Sequence, residues 1–473
     1  MHRCLRILDT YLAILRVLRE DVDIEGLAAL AVLARTCHVL SEPALDVLWE
    51  EPHCFADLVR CLPEDTWVLY ETLGRPCLTV NKPLGPSDWT RFNFYAPRVR
   101  RLTFPNVYIT KYMLIDTQTL SLLSEHRPSL LLLPHLRSVG FMGLPESFWS
   151  FIQLFTGPEL TEFRWECIME SSLRQAAISV LTNLVHRSPN IVTLSVRVWQ
   201  DGRVEPSILP LTLESLRHLR NVSLIMPTAH EHPADLFRWL TSLSSLSYLG
   251  LSIHGSLPDV EDASGSPYIP FARKVQCLAP SFRALETFRV DDAAIQTASA
   301  TLPFLSRSPR LRNLSLSLFL GCVGHLDDPQ DDGAVVRDLL QAISRHCPFE
   351  HIETFAIEIL CIDAGDKYTL GIDQIAFLLA FRNLEHVILH LDIPIDLEDV
   401  ELERLVKAWP FLRTLHIGNP EEFTVARFMP RLTYDALVVL ATHSPQRKAS
   451  RSFWTCAPSR WTMCGEHKES VWR

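Results

Sequence analysis

The stretch SPRLRNLSLSL, Ser308 to Leu318, decides the fold. Leu311, Leu314 and Leu316 are spaced L-x-x-L-x-L; in an extended segment Leu314 and Leu316 point to one face and Ser315 and Ser317 to the other. The same spacing returns at Val99/Leu102/Phe104, Leu136/Val139/Phe141, Leu160/Phe163/Trp165, Ile191/Leu194/Val196, Leu219/Val222/Leu224 and Leu246/Leu249/Leu251. Four more follow at Leu285/Phe288/Val290, Ile352/Phe355/Ile357, Leu384/Val387/Leu389 and Leu412/Leu415/Ile417. One hexamer would say little, but eleven, at intervals of roughly 24 to 41 residues, predict a solenoid of strand–helix units.

These units resemble leucine-rich repeats over about two-thirds of the chain. The resemblance implies an α/β solenoid, a curved parallel sheet with helices outside it. Such repeats carry an Asn or Cys three places after the last Leu, stacked as a hydrogen-bonded ladder. Here that place holds Leu144, Trp199, Pro227 and Pro420, so no such ladder runs the length of the array.

The 473 residues exceed what one hydrophobic core holds, and a repeat array escapes that limit because each unit buries its face on its neighbours. At 47% hydrophobic and 21% charged, the composition is that of a globular chain. A net charge of −10 argues against phosphate-backbone binding, so no nucleic-acid partner is expected. The twelve Cys are scattered without a C-x-x-C pair, which reads as free thiols in a reducing compartment. Arg3, Arg6, Asp9 and Arg16 interrupt the apolar N-terminus, and Leu130 to Leu133 is too short to span a bilayer. A cytoplasmic or nuclear protein with no membrane partner is the expectation.

Along the chain, residues 5–18 and 24–36 carry leucines at helical spacing, and Ser41, Glu42 and Pro43 start a third helix. The segment Leu27 to Glu51 resembles the core of an F-box: Leu30, Leu33 and Cys37 match its middle, and Leu45, Leu48 and Trp49 its end. The opening, residues 1–70, is similar to F-box-like proteins of mushroom-forming fungi, which join it to degenerate leucine-rich repeats. Leu8, Asp9 and Thr10 stand where the motif has Pro and Glu. The resemblance implies a Skp-type adaptor and a cullin as partners, with those six residues as the adaptor surface. Composition alone reads the same helices as a cap on the first repeat.

Residues 52–70 are predicted as one more helix, with Phe55, Leu58, Val59, Leu62 and Trp67 as its apolar face. Residues 71–97, dense in Gly and Pro, read as a linker that packs, 98–445 as the repeats, and 446–473 as a tail without predicted structure. Clear repeat helices are predicted at 171–187 and 333–347. Pro189, Pro309, Pro348 and Pro410 recur as stop signals before the next strand. Residues 254–283 and 321–333 break the rhythm as insertions. Asp327, Asp328, Asp331 and Asp332 in the second lack calcium-loop spacing and read as a solvated turn.

No phosphate-binding, dinucleotide, nucleophile-elbow or zincin motif occurs, and no cofactor or metal is expected. The cluster His230, Glu231, His232 precedes a helix, and Cys456, Cys464 and His467 lack a fourth ligand. What remains is the polar side of the strands: Glu162, Arg164, Glu166, Arg197, Tyr248, Arg289, Asp291, Glu358, His386, His390 and His416. Mixed charge with Tyr, Arg and His suits recognition of a protein substrate; the three His are a weak ligand set, and a polar binding surface is favoured over it. The resemblance thus implies a substrate-recognition subunit of a cullin RING ubiquitin ligase, with catalysis by partner enzymes. The alternative is a repeat scaffold or inhibitor whose opening only caps the array.

Overall fold

The computed structural model describes residues 8–20, 24–72, 74–105, 113–169, 174–200, 212–227, 233–254, 282–320, 332–361, 369–391, 395–418 and 431–443. His230 to His232, the insertions at 255–281 and 321–331, and the whole of 446–473 lie outside the described residues. The chain forms two compact units, Met1–Gln200 with Leu211–Leu219, and Asp201–Pro210 with Arg220–Arg473.

The first unit opens with three helices, α1 (Leu8–Glu20), α2 (Ile24–Thr36) and α3 (His38–Trp49). Their spaced leucines meet in a small core of Tyr11, Leu15, Leu30, Leu40, Ala44 and Val47. Tyr11 donates its buried hydroxyl to the Leu40 carbonyl at 3.2 Å, and Arg19 donates to the Leu48 carbonyl in the last turn of α3 and to the Glu51 carbonyl just past it. α3 begins three residues before the predicted start, because the Cys37 carbonyl already accepts from the Leu40 and Ser41 amides. Pro43 then lies inside the helix.

Residues 52–70 do not form the single helix that the sequence predicts. A short helix, Phe55–Val59, is followed by a 3-10 turn at Glu64–Thr66, and Trp67 starts a strand. Pro63 precludes continuation, and the aromatic and β-branched run after it prefers a sheet. β1 (Trp67–Thr72) pairs antiparallel with β2 (Arg75–Val80) around Gly74, whose φ of +70° a side chain would resist. The stretch read as a linker therefore holds a hairpin strand and the short helices Pro86–Trp89, Thr90–Tyr95 and Ala96–Arg98. Trp89 and Phe92 pack edge to face within it, both buried.

Four parallel strands follow in this unit: β3 (Arg101–Phe104), β5 (Ser138–Met142), β6 (Glu162–Met169) and β7 (Thr193–Gln200), with β4 (Leu114–Ile115) beside β2 instead. The predicted register holds pair by pair: Leu102 lies beside Val139, Val139 beside Phe163 and Phe163 beside Leu194. Helices at Thr117–His126 and Arg174–Arg187 flank the strands. Phe104 and Phe141 stack at 5.1 Å, with Phe55 and Phe155 against them.

The second unit continues with seven parallel strands in chain order: β8 (Asn221–Pro227), β9 (Tyr248–His254), β10 (Thr287–Ala294), β11 (Asn313–Leu320), β12 (Thr354–Cys361), β13 (His386–Leu391) and β14 (Thr414–Ile417). Leu314 lies between Phe288 and Phe355, and Leu316 between Val290 and Ile357. Flanking helices include Pro233–Ser242, Asp332–His346 and Asp399–Ala408. The predicted stops hold: helical segments end at Arg187, Arg307, His346 and Ala408, immediately before Ser188, Ser308, Cys347 and Trp409. A bulge at Asp291 and Asp292, the latter at φ +52°, returns Ala293 to the buried side.

At the N-terminal edge of the strands the backbone forms a ladder. In the first unit the second residue of a hexamer offers its carbonyl to two amides of the following hexamer: Arg100 to Arg137 and Ser138, Arg137 to Thr161 and Glu162, Thr161 to Val192 and Thr193. In the second unit Arg220, Ser247, Glu286, Arg312, Glu353 and Glu385 do the same for their successors, at 2.7–3.0 Å. Both lone pairs of each carbonyl are used.

Phe355, fully buried against Phe377 and Phe381, should be among the costliest positions to truncate. Phe355→Ala is expected to lose about 3–5 kcal/mol in urea unfolding. Phe411→Ala, at a half-exposed ring, should stay within about 0.5 kcal/mol.

Candidate functional site

Of the six positions predicted to face an adaptor, Leu30 is fully buried in the three-helix core, so it holds the helices together and offers no contact surface. Leu33 and Leu48 pack partly against the same core. Cys37 is exposed at the α2–α3 junction, and Leu45 and Trp49 are half-buried. At 100° per residue, Leu45 and Trp49 share one side of α3, away from Leu40, Ala44 and Val47, and Leu48 lies between the two sides. Trp49 is engaged from one side by Tyr95, the rings stacked 4.5 Å apart.

Three contacts fix this opening onto the strands. Besides the Trp49–Tyr95 stack, Arg98 pairs with Glu42 at 2.6 Å and with Asp46, and lies over the Phe94 ring at 4.9 Å. The Glu50 carbonyl accepts from the Arg100 and Arg101 amides at 2.8 and 2.9 Å, the place a preceding repeat would take. Sequence reasoning missed Glu50, Tyr95 and Arg98. The x-x pair of the first hexamer, Arg100–Arg101, needs an acceptor and was the only available signal.

The predicted polar positions do alternate with buried ones. In the first unit Glu162, Arg164, Glu166 and Arg197 all point away from the core, but Arg164 donates to Glu162 on its own strand at 2.7 Å. Arg197 lies beside Glu166 in register. In the second unit the Arg289 Nε–H is shared between the two Asp291 carboxylate oxygens, at 2.8 and 2.7 Å, which raises the pKa of the guanidinium. Tyr248 leans over Gly250, where a Cβ would come within 3.1 Å of the phenol oxygen. Glu358 accepts from Ser317 at 3.0 Å and lies beside His390.

The three His are brought onto one side of β13 and β14. His386 shares a hydrogen bond with Thr414 at 3.0 Å, while the His390 and His416 rings meet edge to face at 5.8 Å. Among the described residues no group of three His, Cys, Asp or Glu is placed to hold a metal ion. Burial pushes the Cys167 and Cys347 thiols up to about 12, so neither is a nucleophile at neutral pH. No described helix is long and apolar enough to cross a membrane.

His416 gives this surface a pH dependence. Its pKa lies below the usual 6.5, first through burial and then through His390 beside it. The unfolded chain therefore binds the proton more readily, and the stability from the neutral ring is present above about pH 6.5 and lost as pH falls through that value. His346, lowered by burial and then by Arg345, has the same sign. The melting temperature should fall between about pH 7.5 and 5.5, and less so in His416→Asn. An NMR titration placing the His416 ring at or above 6.5 would contradict this.

No family model matches the chain, and no curated protein does. A crystal structure of a protein from Bacteroides fragilis is similar at 12% identity and a TM-score of 0.27, over 60% of this chain. The match spans 66% of the length of that protein.

Proposed function

We propose that this chain is a substrate-recognition subunit of a cullin RING ubiquitin ligase. In this reading the helical opening is F-box-like and docks on a Skp-type adaptor, and the strand–helix units are leucine-rich repeats whose polar side holds a protein substrate in the cytoplasm or nucleus. The observation that carries it is the side of α3 turned from the three-helix core: Leu45 and Trp49 stay partly accessible while Leu40, Ala44 and Val47 are buried. An apolar strip of this kind, with Leu33 and Cys37 nearby in sequence, suits a partner helix better than water. Leu30 is not part of the proposed contact set.

A second reading is favoured by the Glu50 rung and the Trp49–Tyr95 stack. The rung ties the opening to the first strand and the stack ties it to the helix Thr90–Tyr95 before that strand, as expected of a cap on a repeat array. Trp49 belongs to both readings: Tyr95 covers one face of its ring, and the two roles are compatible where Leu45 and the rest of the Trp49 ring stay accessible.

Full-length tagged protein recovered from its native cells should bring a Skp-type adaptor and a cullin with it, and Leu45→Asp with Trp49→Asp should abolish that recovery while circular dichroism stays unchanged. Absence of the adaptor with the unmutated protein would leave the opening a cap and the chain a scaffold.

A further inference from the structure

We propose that the free edge of β1 (Trp67–Thr72) pairs with the same edge of a second copy of this chain, antiparallel about a twofold axis, and so makes a weak homodimer. The residues involved lie outside the apolar strip of α3, and the pairing does not rest on the ligase reading. β1 stands at the outside of its three-stranded sheet, bonded among the described strands to β2 alone. Val68, Leu69 and Tyr70 are exposed by 44%, 49% and 43%, the longest consecutive run of exposed large apolar side chains among the described residues.

The ladder to β2 shows which backbone groups of β1 are open. The Asn81 amide donates to the Thr66 carbonyl at 3.0 Å, and hydrogen-bonded positions alternate along an antiparallel pair. Val68, Tyr70 and Thr72 therefore exchange bonds with Thr79, Cys77 and Arg75. Three features of β2 agree. The Leu78 carbonyl accepts from the Thr119 hydroxyl at 3.3 Å and the Val80 amide donates to the same oxygen at 2.9 Å, so neither is turned to β1. Pro76, which has no amide, stands opposite Glu71. The N–H and C=O groups of Trp67, Leu69 and Glu71 thus point outward. Natural edges are protected by Lys, Pro or a bulge, and β1 has none of these.

The edge is complementary to itself. With Leu69 opposite Leu69 of the second copy, the two outward-facing residues exchange both of their backbone bonds, and Val68 meets Tyr70 of the second copy in the closer, non-hydrogen-bonded position. An aromatic beside a β-branched side chain is a favourable cross-strand pair. Glu71, the one charge on β1, then stands opposite Trp67 of the second copy, where the exposed Arg60 guanidinium lies 5.8 Å from the ring centroid. The twofold axis repeats this match of carboxylate and cation. The neighbouring registers instead oppose Glu71 to Asp65 or to Leu69. Each copy has its edge occupied once, so association stops at two. A six-residue strand buries less than the roughly 800 Å² per partner of a standard interface, and the dimer should be half-formed at about 10–100 µM.

The test is sedimentation velocity on purified full-length protein, under reducing conditions because Cys37 is exposed. Neither adaptor nor cullin is present, so the outcome is separate from the ligase reading. The average mass should rise from one chain toward two between about 1 and 300 µM. Leu69→Pro removes an outward amide and no bond to β2, and should stay monomeric throughout. Leu69→Lys, which keeps the amide, should weaken the dimer by about tenfold or more with circular dichroism unchanged. Arg60→Glu should weaken it by about fivefold, and Arg60→Glu combined with Glu71→Arg should restore it. A protein that remains monomeric to about 300 µM, a dimer of undiminished strength in folded Leu69→Lys, or charge reversals without loss and rescue would each overturn the assignment.

Discussion

Within each of the two units, successive strand–helix segments are tied by one backbone carbonyl that accepts two amides at the N-terminal edge of the strands. The rest of the architecture depends on this contact, because it sets the register in which the apolar side chains meet. Once Arg312 receives Glu353 and Thr354, Leu314 must lie beside Phe355 and Leu316 beside Ile357. A register slip of one residue would turn every one of these side chains to the polar side. The ladder uses only main-chain atoms, so it tolerates the absence of a stacked Asn and the varied residues found at its rungs. It also tolerates the uneven lengths between hexamers, since the inserted residues fall outside the paired segments.

The same constraint explains how the helical opening is attached. The first unit has two amides that need an acceptor, and leaving them buried without one would cost about 1–3 kcal/mol each. Glu50, one residue past α3, supplies the carbonyl. This fixes the end of α3 against the first strand, next to the stack of Trp49 on Tyr95, while Leu45 stays partly accessible.

On the polar side, residues that look in sequence like free recognition groups are partly committed to one another. A charged side chain two places along a strand shares its face with its neighbour, and Arg164 with Glu162, and Arg289 with Asp291, close such pairs. Exposed pairs of this kind contribute little stability. Their effect is to tie the guanidinium groups to carboxylates of their own strands, as Glu358 is tied to Ser317 and His386 to Thr414.

By itself the sequence determined the strand register, the buried set and the helix stops, because L-x-x-L-x-L and a following proline act within a few residues of each other. It determined as well which side of each strand is polar. It misread residues 52–70, where Pro63 and the pairing of β1 with β2 overrode an apolar spacing that is also helical. It could not separate Leu30 from Leu45, since both are leucines on helices of one opening, and only the packing of α1 across α2 and α3 makes the first core and the second surface. Nor could it show that the outer edge of Trp67–Thr72 stays open. An edge is open or closed according to whether another part of the chain pairs with it, and a strand's own residues carry no mark of that partner; only the folded chain decides that.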